Sequence, residues 1–149
     1  MKFLKIALII LSVTFIAACS KKEDPVVPPP PPKNKAQMLA SHRWKYDVLV
    51  HNYHTATPVT VYKRGQAGNT YNLDGDSYSY NIDGTYSATI IAEPLPTTGR
   101  WNLTPDETQI EVRVSGGTVA YIATIVQLDE NNYIFTYTDQ DSYGKLIAY

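Results

Sequence analysis

The chain has 149 residues, and its 13 basic and 14 acidic side chains give a formal net charge of −1. This near balance leaves no broad electropositive face for nucleic acid, so no nucleic-acid partner is predicted. Cys19 is the single cysteine, which excludes an internal disulfide. Tyrosine occurs 12 times against three phenylalanines, and this composition, rich also in Thr and Val, favours β-strands.

The first 18 residues are predicted to be a signal peptide. Two lysines precede an apolar run from Ile6 to Ala18, which is short for a bilayer span of ~20 apolar residues. The run ends in Ile16-Ala17-Ala18-Cys19, which resembles the lipobox of bacterial lipoproteins. The resemblance implies cleavage before Cys19, followed by diacylglycerol and N-acyl modification of that residue. The alternative is an ordinary signal peptide with an incidental cysteine.

Residues 19–35 are predicted to form a tether between the lipidated cysteine and a folded domain. Pro28 to Pro32 form an unbroken row, which holds the backbone near polyproline II and makes the tether stiff. The stretch Lys22-Glu23-Asp24 resembles the export signal of Bacteroidetes lipoproteins, and a merely solvated charge run is the alternative. The expected location is the outer membrane of a bacterial envelope, with the lipid anchor as the membrane contact and possible exposure at the cell surface.

Residues 36–149 are predicted to form a single β-domain. Asn34 is placed as the N-cap of a short helix that ends at Ala40 and acts as a lid or plug. Apolar residues at period two, bounded by turn residues, predict the strands that follow, with a long loop over 63–76 that includes a brief extended piece at 71–73. The predicted strands cover 42–50, 58–62, 77–81, 85–91, 99–103, 110–114, 118–128, 133–137 and 145–149.

Two local details follow from the pattern. A three-residue loop, Ile82-Asp83-Gly84 with Gly84 left-handed, would pair Tyr80 with Tyr86 and place the large rings on one face, which a two-residue turn would not do. In the segment 118–128 the apolar positions change from odd to even, so a bulge near Thr124 or a strand buried on both faces is expected.

Many short strands joined by tight turns predict an antiparallel up-and-down barrel of about eight strands, because closure removes exposed edges. The segment 39–44, the hairpin 80–86 and Gly99-x-Trp101 resemble the lipocalin-like lipoprotein families of Bacteroidetes. His42 stands where lipocalins usually carry a glycine. The resemblance implies a monomeric barrel that binds a small ligand.

Six aromatic residues in phase with the predicted inner face are the candidates for the core or for a cavity: Trp44, Tyr80, Tyr86, Trp101, Tyr121 and Phe135. One functional hypothesis is a barrel that binds a small apolar or amphipathic molecule, or a glycan. The alternative is a contact module with a filled barrel, which would present exposed rings to a protein or a sugar. The rings proposed for that surface are Tyr53, Tyr62, Tyr71 and Tyr143.

Neither catalysis nor metal binding is predicted. His51 and His54 are three residues apart, but Thr55, Thr57 and Pro58 make the segment a loop rather than a helix. The stretches 74–76 and 139–141 lack the alternating ligands and final glutamate of a calcium loop and are predicted to form turns. No serine with flanking glycines and no pair of carboxylates suited to catalysis occurs, so the protein is expected to be neither an enzyme nor a cofactor binder.

Overall fold

The protein is described from a computed structural model that covers residues 28–117, 120–137 and 139–149. Cys19, the predicted signal peptide and most of the predicted tether lie outside the described residues. Within that part of the chain, no helix is both long and apolar enough to cross a membrane. The elements are α1 (Lys35–Ala40), β1 (Arg43–His51), β2 (Val59–Lys63), β3 (Ser77–Tyr80), β4 (Thr85–Thr89), β5 (Thr97–Leu103), β6 (Gln109–Val114), β7 (Ala120–Leu128), β8 (Asn132–Tyr137) and β9 (Ser142–Ala148).

Eight of these strands, β1 and β3 to β9, close into an antiparallel barrel. Each pairs with the next along the chain, and β9 returns to β1 from Trp44 opposite Ala148 to His51 opposite Ser142. The predicted up-and-down barrel with one short helix is therefore confirmed. Closure gives each of these strands a neighbour on both sides, so the backbone groups of the sheet are largely paired.

The remaining strand, β2, continues the line of β3. Both pair with the edge of β1 that faces away from β9, β2 with Val48–His51 and β3 with Arg43 and Trp44. Together they act as one barrel strand interrupted by residues 64–76. In that connection residues 71–73, predicted as a brief extended piece, are not part of a strand, and turns and bends occur along the rest of it.

The prediction that the ring of Tyr62 is exposed is wrong. Its side chain is fully buried, and its hydroxyl donates a hydrogen bond of 2.7 Å to Asp74 Oδ1. The interrupted strand explains the difference, because the connection after β2 returns to Tyr62 and supplies this carboxylate. Sequence alternation alone predicts which face a residue takes but not whether a later loop covers that face.

The local predictions for the hairpin and the bulge are confirmed. Tyr80 pairs with Tyr86 and Tyr78 with Ala88, and Gly84 takes the left-handed conformation at φ 81°. The register between β7 and β8 shifts between Ile125 and Gln127, next to the predicted position. The last strand, β9, begins at Ser142, three residues before the predicted start.

One end of the barrel, called the closed end here, is filled by side chains beneath α1. Asn34 and Gln37 form a reciprocal capping box at the start of the helix, and Leu39 points into the barrel with no exposed surface. Trp44 is equally buried, and its Nε1 donates to the Leu39 carbonyl oxygen at 2.9 Å. This layer joins the helix to the first strand.

Candidate functional site

The other end of the barrel, called the open end here, contains a cavity of about 440 Å³. Its floor consists of residues that also belong to the hydrophobic core, namely Tyr80, Val112, Phe135 and Leu146. Its wall is formed by Tyr46, Tyr78, Tyr86 and Tyr137. Its rim is formed by Ile90, Glu93, Thr97, Val114 and Tyr121. The barrel is thus filled at one end and hollow at the other.

The tyrosines reach the cavity because side chains on a strand alternate between the two faces of the sheet. Tyr46 follows Trp44 by two residues on β1, and Tyr137 follows Phe135 by two on β8, so each continues an inward-facing row. The rings brace one another edge to face, with centroids 5.5 Å apart for Tyr46 and Tyr78 and 5.0 Å for Phe135 and Tyr137. Such contacts hold the wall without filling the space that it encloses.

The phenols of the wall are held in their neutral form. Burial, followed by the neighbouring Tyr137, raises the pKa of Tyr46 well above its usual value, and burial also raises the pKa of Tyr78 and Tyr86. For Tyr137, burial and the nearby Asp139 carboxylate raise the pKa to about 12. A neutral phenol both donates and accepts hydrogen bonds, so the wall offers polar contacts without charge.

None of the hydroxyl groups of the four wall tyrosines is both buried and without a hydrogen-bond partner. Among the described residues, the only buried side-chain nitrogen or oxygen atoms without a partner are Nε and Nη2 of Arg64, which does not line the cavity. Each tyrosine oxygen of the wall therefore has either a partner or access to the cavity. The cavity is consequently lined by aromatic carbon with a small number of reachable hydroxyl groups, the usual character of a small-molecule site.

The rim carries one formal charge. Ile90, Glu93 and Thr97 come from the connection between β4 and β5, and Thr97 Oγ1 donates to Glu93 Oε2 at 2.6 Å. This bond orients an otherwise exposed carboxylate at the mouth. The same connection exposes Ile91 and Leu95, so the charge lies beside large apolar side chains.

The six aromatic residues predicted for the core or cavity separate into two groups. Tyr80 and Phe135 lie in the cavity floor, Tyr86 in its wall and Tyr121 at its rim, where 47% of Tyr121 is exposed. Trp44 and Trp101 line no part of this cavity and belong to the buried core, where Trp101 Nε1 donates to the Asn81 carbonyl oxygen at 2.9 Å.

Sequence reasoning did not select Tyr46, Tyr78, Tyr137 or Glu93 as site residues. The three tyrosines each lie two positions from a selected residue on the same strand, so continuing the alternation by one step is the signal that finds them. Glu93 has no comparable signal, because it lies in a connection between strands whose path depends on the closed barrel.

A second aromatic group lies on the surface at the same end of the barrel. Tyr53, 42% exposed, stacks on Tyr143 with centroids 5.0 Å apart. The backbone N–H of His54 donates to Asp141 Oδ1 at 3.0 Å, and His54 Nδ1 lies 2.7 Å from the same oxygen. Asn52 and Asp141 both have positive φ, a backbone conformation that is sparsely populated for residues other than glycine. The two turns that contain these residues contact each other.

The other candidate ligands serve the backbone or other side chains. His51 contacts the ring of Tyr71, and Asp76 Oδ1 accepts a hydrogen bond from the Ile91 N–H at 2.8 Å. In the described part of the chain, no three His, Cys, Asp or Glu residues are grouped closely enough to hold a metal ion. The carboxylates of Asp74, Asp76 and Asp141 thus have identifiable structural roles.

Comparison with known proteins bears on the fold. No family model matches the chain, and no curated protein matches it. A crystal structure of a DUF4847 family protein from Bacteroides vulgatus is similar, with a TM-score of 0.55 at 13% identity over 76% of this chain and 96% of that one. An NMR structure of a protein from Bacteroides uniformis has a TM-score of 0.49 at 16% identity over 76% and 91% of the respective chains. The first likeness shows a shared fold.

Proposed function

We propose that this protein is a lipid-anchored barrel of the bacterial envelope. It binds a small apolar or amphipathic molecule, or a glycan, in the open end and does not transform it. The observation that carries this proposal is the cavity of about 440 Å³, enclosed by core residues below and by tyrosines at the sides. Ligand sites are typically clefts of roughly 300 to 1,000 Å³ with apolar walls and a small number of polar groups.

The asymmetry of the barrel supports binding rather than simple packing. An eight-stranded barrel has an interior just wide enough to be filled by side chains or to hold one small molecule. Here Trp44, Trp101 and Leu39 are packed in the core at the closed end, whereas the tyrosines at the open end surround a cavity. The exposed Leu95 and Ile91 beside the mouth favour a ligand that is itself partly apolar.

The entry point of the chain is compatible with an anchor. Asn34 caps α1 at the closed end, and the preceding Lys33 pairs with Glu130 at 3.0 Å in the turn between β7 and β8. The first residues of the barrel therefore lie away from the mouth. We expect Cys19→Ala to move the protein from the membrane fraction to soluble or uncleaved material, and wild-type protein without acyl mass in the soluble fraction would contradict the anchor.

Native mass spectrometry of protein isolated from its own envelope tests the binding function. The wild type should carry a small molecule that dissociates on activation. Thr97→Trp, which places an indole in the mouth, should carry none, whereas Thr98→Trp on the neighbouring exposed position should still carry it. Circular dichroism checks that both variants fold. An empty wild type, or equal occupancy in the two variants, would contradict binding in the cavity.

The stacked Tyr53 and Tyr143 favour a second candidate, a contact surface for a glycan or a protein. The pair presents flat amphipathic area at the open end, and the bonds from His54 to Asp141 hold its turns in place. Under this alternative, Tyr53→Ala would abolish binding of the partner while Thr97→Trp would not. The opposite outcome would favour the cavity.

A further inference from the structure

We infer that the cavity selects a ligand with a cationic head, an amine or a quaternary ammonium group, on an apolar body. This inference rests on the proposed function, because it names the class of molecule that the open end binds. The head would lie near the mouth, between Glu93 and Tyr121 of the rim and Tyr86 of the wall, and the apolar body would extend toward the floor.

The charges of the lining favour a cation over an anion. Glu93 is the only Asp, Glu, Lys, Arg or His among the described lining residues, and the bond from Thr97 fixes its carboxylate at the mouth. An anionic head would meet this carboxylate without any basic side chain of the lining to compensate, whereas a cationic head would pair with it. Like-charge contact costs binding energy and opposite charge contributes to it.

The aromatic groups of the rim favour the same choice. Tyr86 and Tyr121 line the same cavity as Glu93, so a head group at the mouth has both aromatic rings and the carboxylate within its site. A cation near the face of a tyrosine ring is attracted by the negative face of the π-system, and aromatic groups around a quaternary ammonium ion are a known mode of recognition. A neutral hydroxyl would gain only a hydrogen bond from Glu93, and an alkyl group would gain nothing from it.

Carboxylates outside the lining add to the negative potential of the wall. After burial, the largest contributions that raise the pKa of Tyr78 and Tyr137 come from Asp76 and Asp139 respectively. Both are carboxylates, so their charge has the same sign as that of Glu93 and does not offset it.

Calorimetric titration with three probes of equal chain length tests the inference: n-octyltrimethylammonium, 1-octanol and octanoate, each below its aggregation threshold. The ammonium should bind roughly tenfold more tightly than the alcohol, and octanoate should bind most weakly. Glu93→Gln should remove most of the advantage of the ammonium and leave the affinity for octanol within about twofold. Glu107→Gln, an exposed carboxylate in the turn between β5 and β6, is the matched control and should change neither.

A second pair of variants tests whether the aromatic ring of Tyr121 contributes to the preference for the ammonium. Tyr121→Phe keeps the aromatic face and should retain the preference for the ammonium, whereas Tyr121→Leu should reduce it several-fold. Equal binding of ammonium and octanol, blocked in both cases by Thr97→Trp, would overturn the cationic preference and leave the cavity function intact. Tightest binding of octanoate would also overturn it. Failure of all three probes would overturn the inference and count against the cavity function for single-chain amphiphiles.

Discussion

At the closed end, the indole N–H groups of Trp44 and Trp101 each donate to a backbone carbonyl oxygen 2.9 Å away, and α1 covers the layer. At the open end, the tyrosines of the wall surround a cavity of about 440 Å³. Both ends are built from aromatic residues, and β1 contributes one to each, Trp44 and Tyr46. The two ends differ in that the indole N–H groups bond to the backbone, whereas the wall tyrosines line a cavity.

This difference has a chemical basis. An indole has one donor and no acceptor, so a single carbonyl satisfies it and the ring can be packed on all sides. A phenol donates and accepts, so several phenols around one space keep hydrogen-bonding capacity that a ligand can use. Trp44 with no exposed surface and Tyr121 with 47% exposed surface represent the two extremes. Ring area alone therefore does not distinguish a core from a site.

The largest effect on the free energy of unfolding is expected at alkaline pH. Unfolded tyrosines lose their proton near pH 10, whereas burial keeps Tyr46, Tyr80 and Tyr133 neutral well above it. Unfolding then releases protons, so the free energy of unfolding falls by about 1.4 kcal/mol per pH unit above 10 for each such tyrosine. Absorbance at the phenolate band should rise together with loss of the fold. Ionisation of these rings near pH 10 without loss of the fold would show that they are not buried.

Truncation of the closed-end layer should have the next largest effect. Trp44→Ala removes a fully buried ring and leaves its cavity beneath Leu39, so the free energy of unfolding should fall by roughly 3 to 5 kcal/mol. Tyr121→Ala at the rim is the matched comparison and should cost below about 1 kcal/mol. Chemical denaturation measures both. Similar losses for the two variants would show that the rim is as tightly packed as the core.

An intermediate effect on stability is expected on β9, beside the cavity floor. Gly144 lies opposite Phe135, and a Cβ added there would overlap the ring of that residue. Gly144→Ala should therefore push the ring toward the cavity and cost roughly 1 to 3 kcal/mol through overpacking. Binding of a cavity ligand should weaken at the same time. Reduced stability with unchanged binding would indicate that Phe135 moves away from the cavity instead.

The smallest effect is expected at the start of α1. Asn34→Ala removes the side chain that accepts from the Gln37 N–H, so about 1 kcal/mol of stability should be lost. Asn34→Asp keeps the acceptor and should behave like the wild type. Ligand binding at the open end should be the same in both variants. A change in binding affinity for Asn34→Ala would mean that the two ends are coupled.

The structural features that could be predicted from the sequence are those that depend on residues close together in the chain. The pairing of Tyr80 with Tyr86 could be derived because the ring pattern and Gly84 both constrain one short loop. Two features could not be derived in this way. Period-two alternation is identical for a filled and a hollow barrel, so the cavity beside Tyr46 depends on closure by distant strands. The burial of Tyr62 depends on Asp74, which a loop brings back from another part of the chain.

From the pairing of β1 with β9 we expect the barrel to close late in folding. Trp44 on β1 pairs with Ala148 on β9. All other neighbouring strands of the barrel are closer to each other in the chain. Contacts between distant residues carry a large loop-closure entropy, which slows folding. The meander from β3 to β8 can assemble earlier as hairpins, and the barrel closes only when the C-terminal strand is available. Loss of that strand would leave two unpaired edges, on β1 and β8, so the last residues protect the whole sheet from edge-to-edge association.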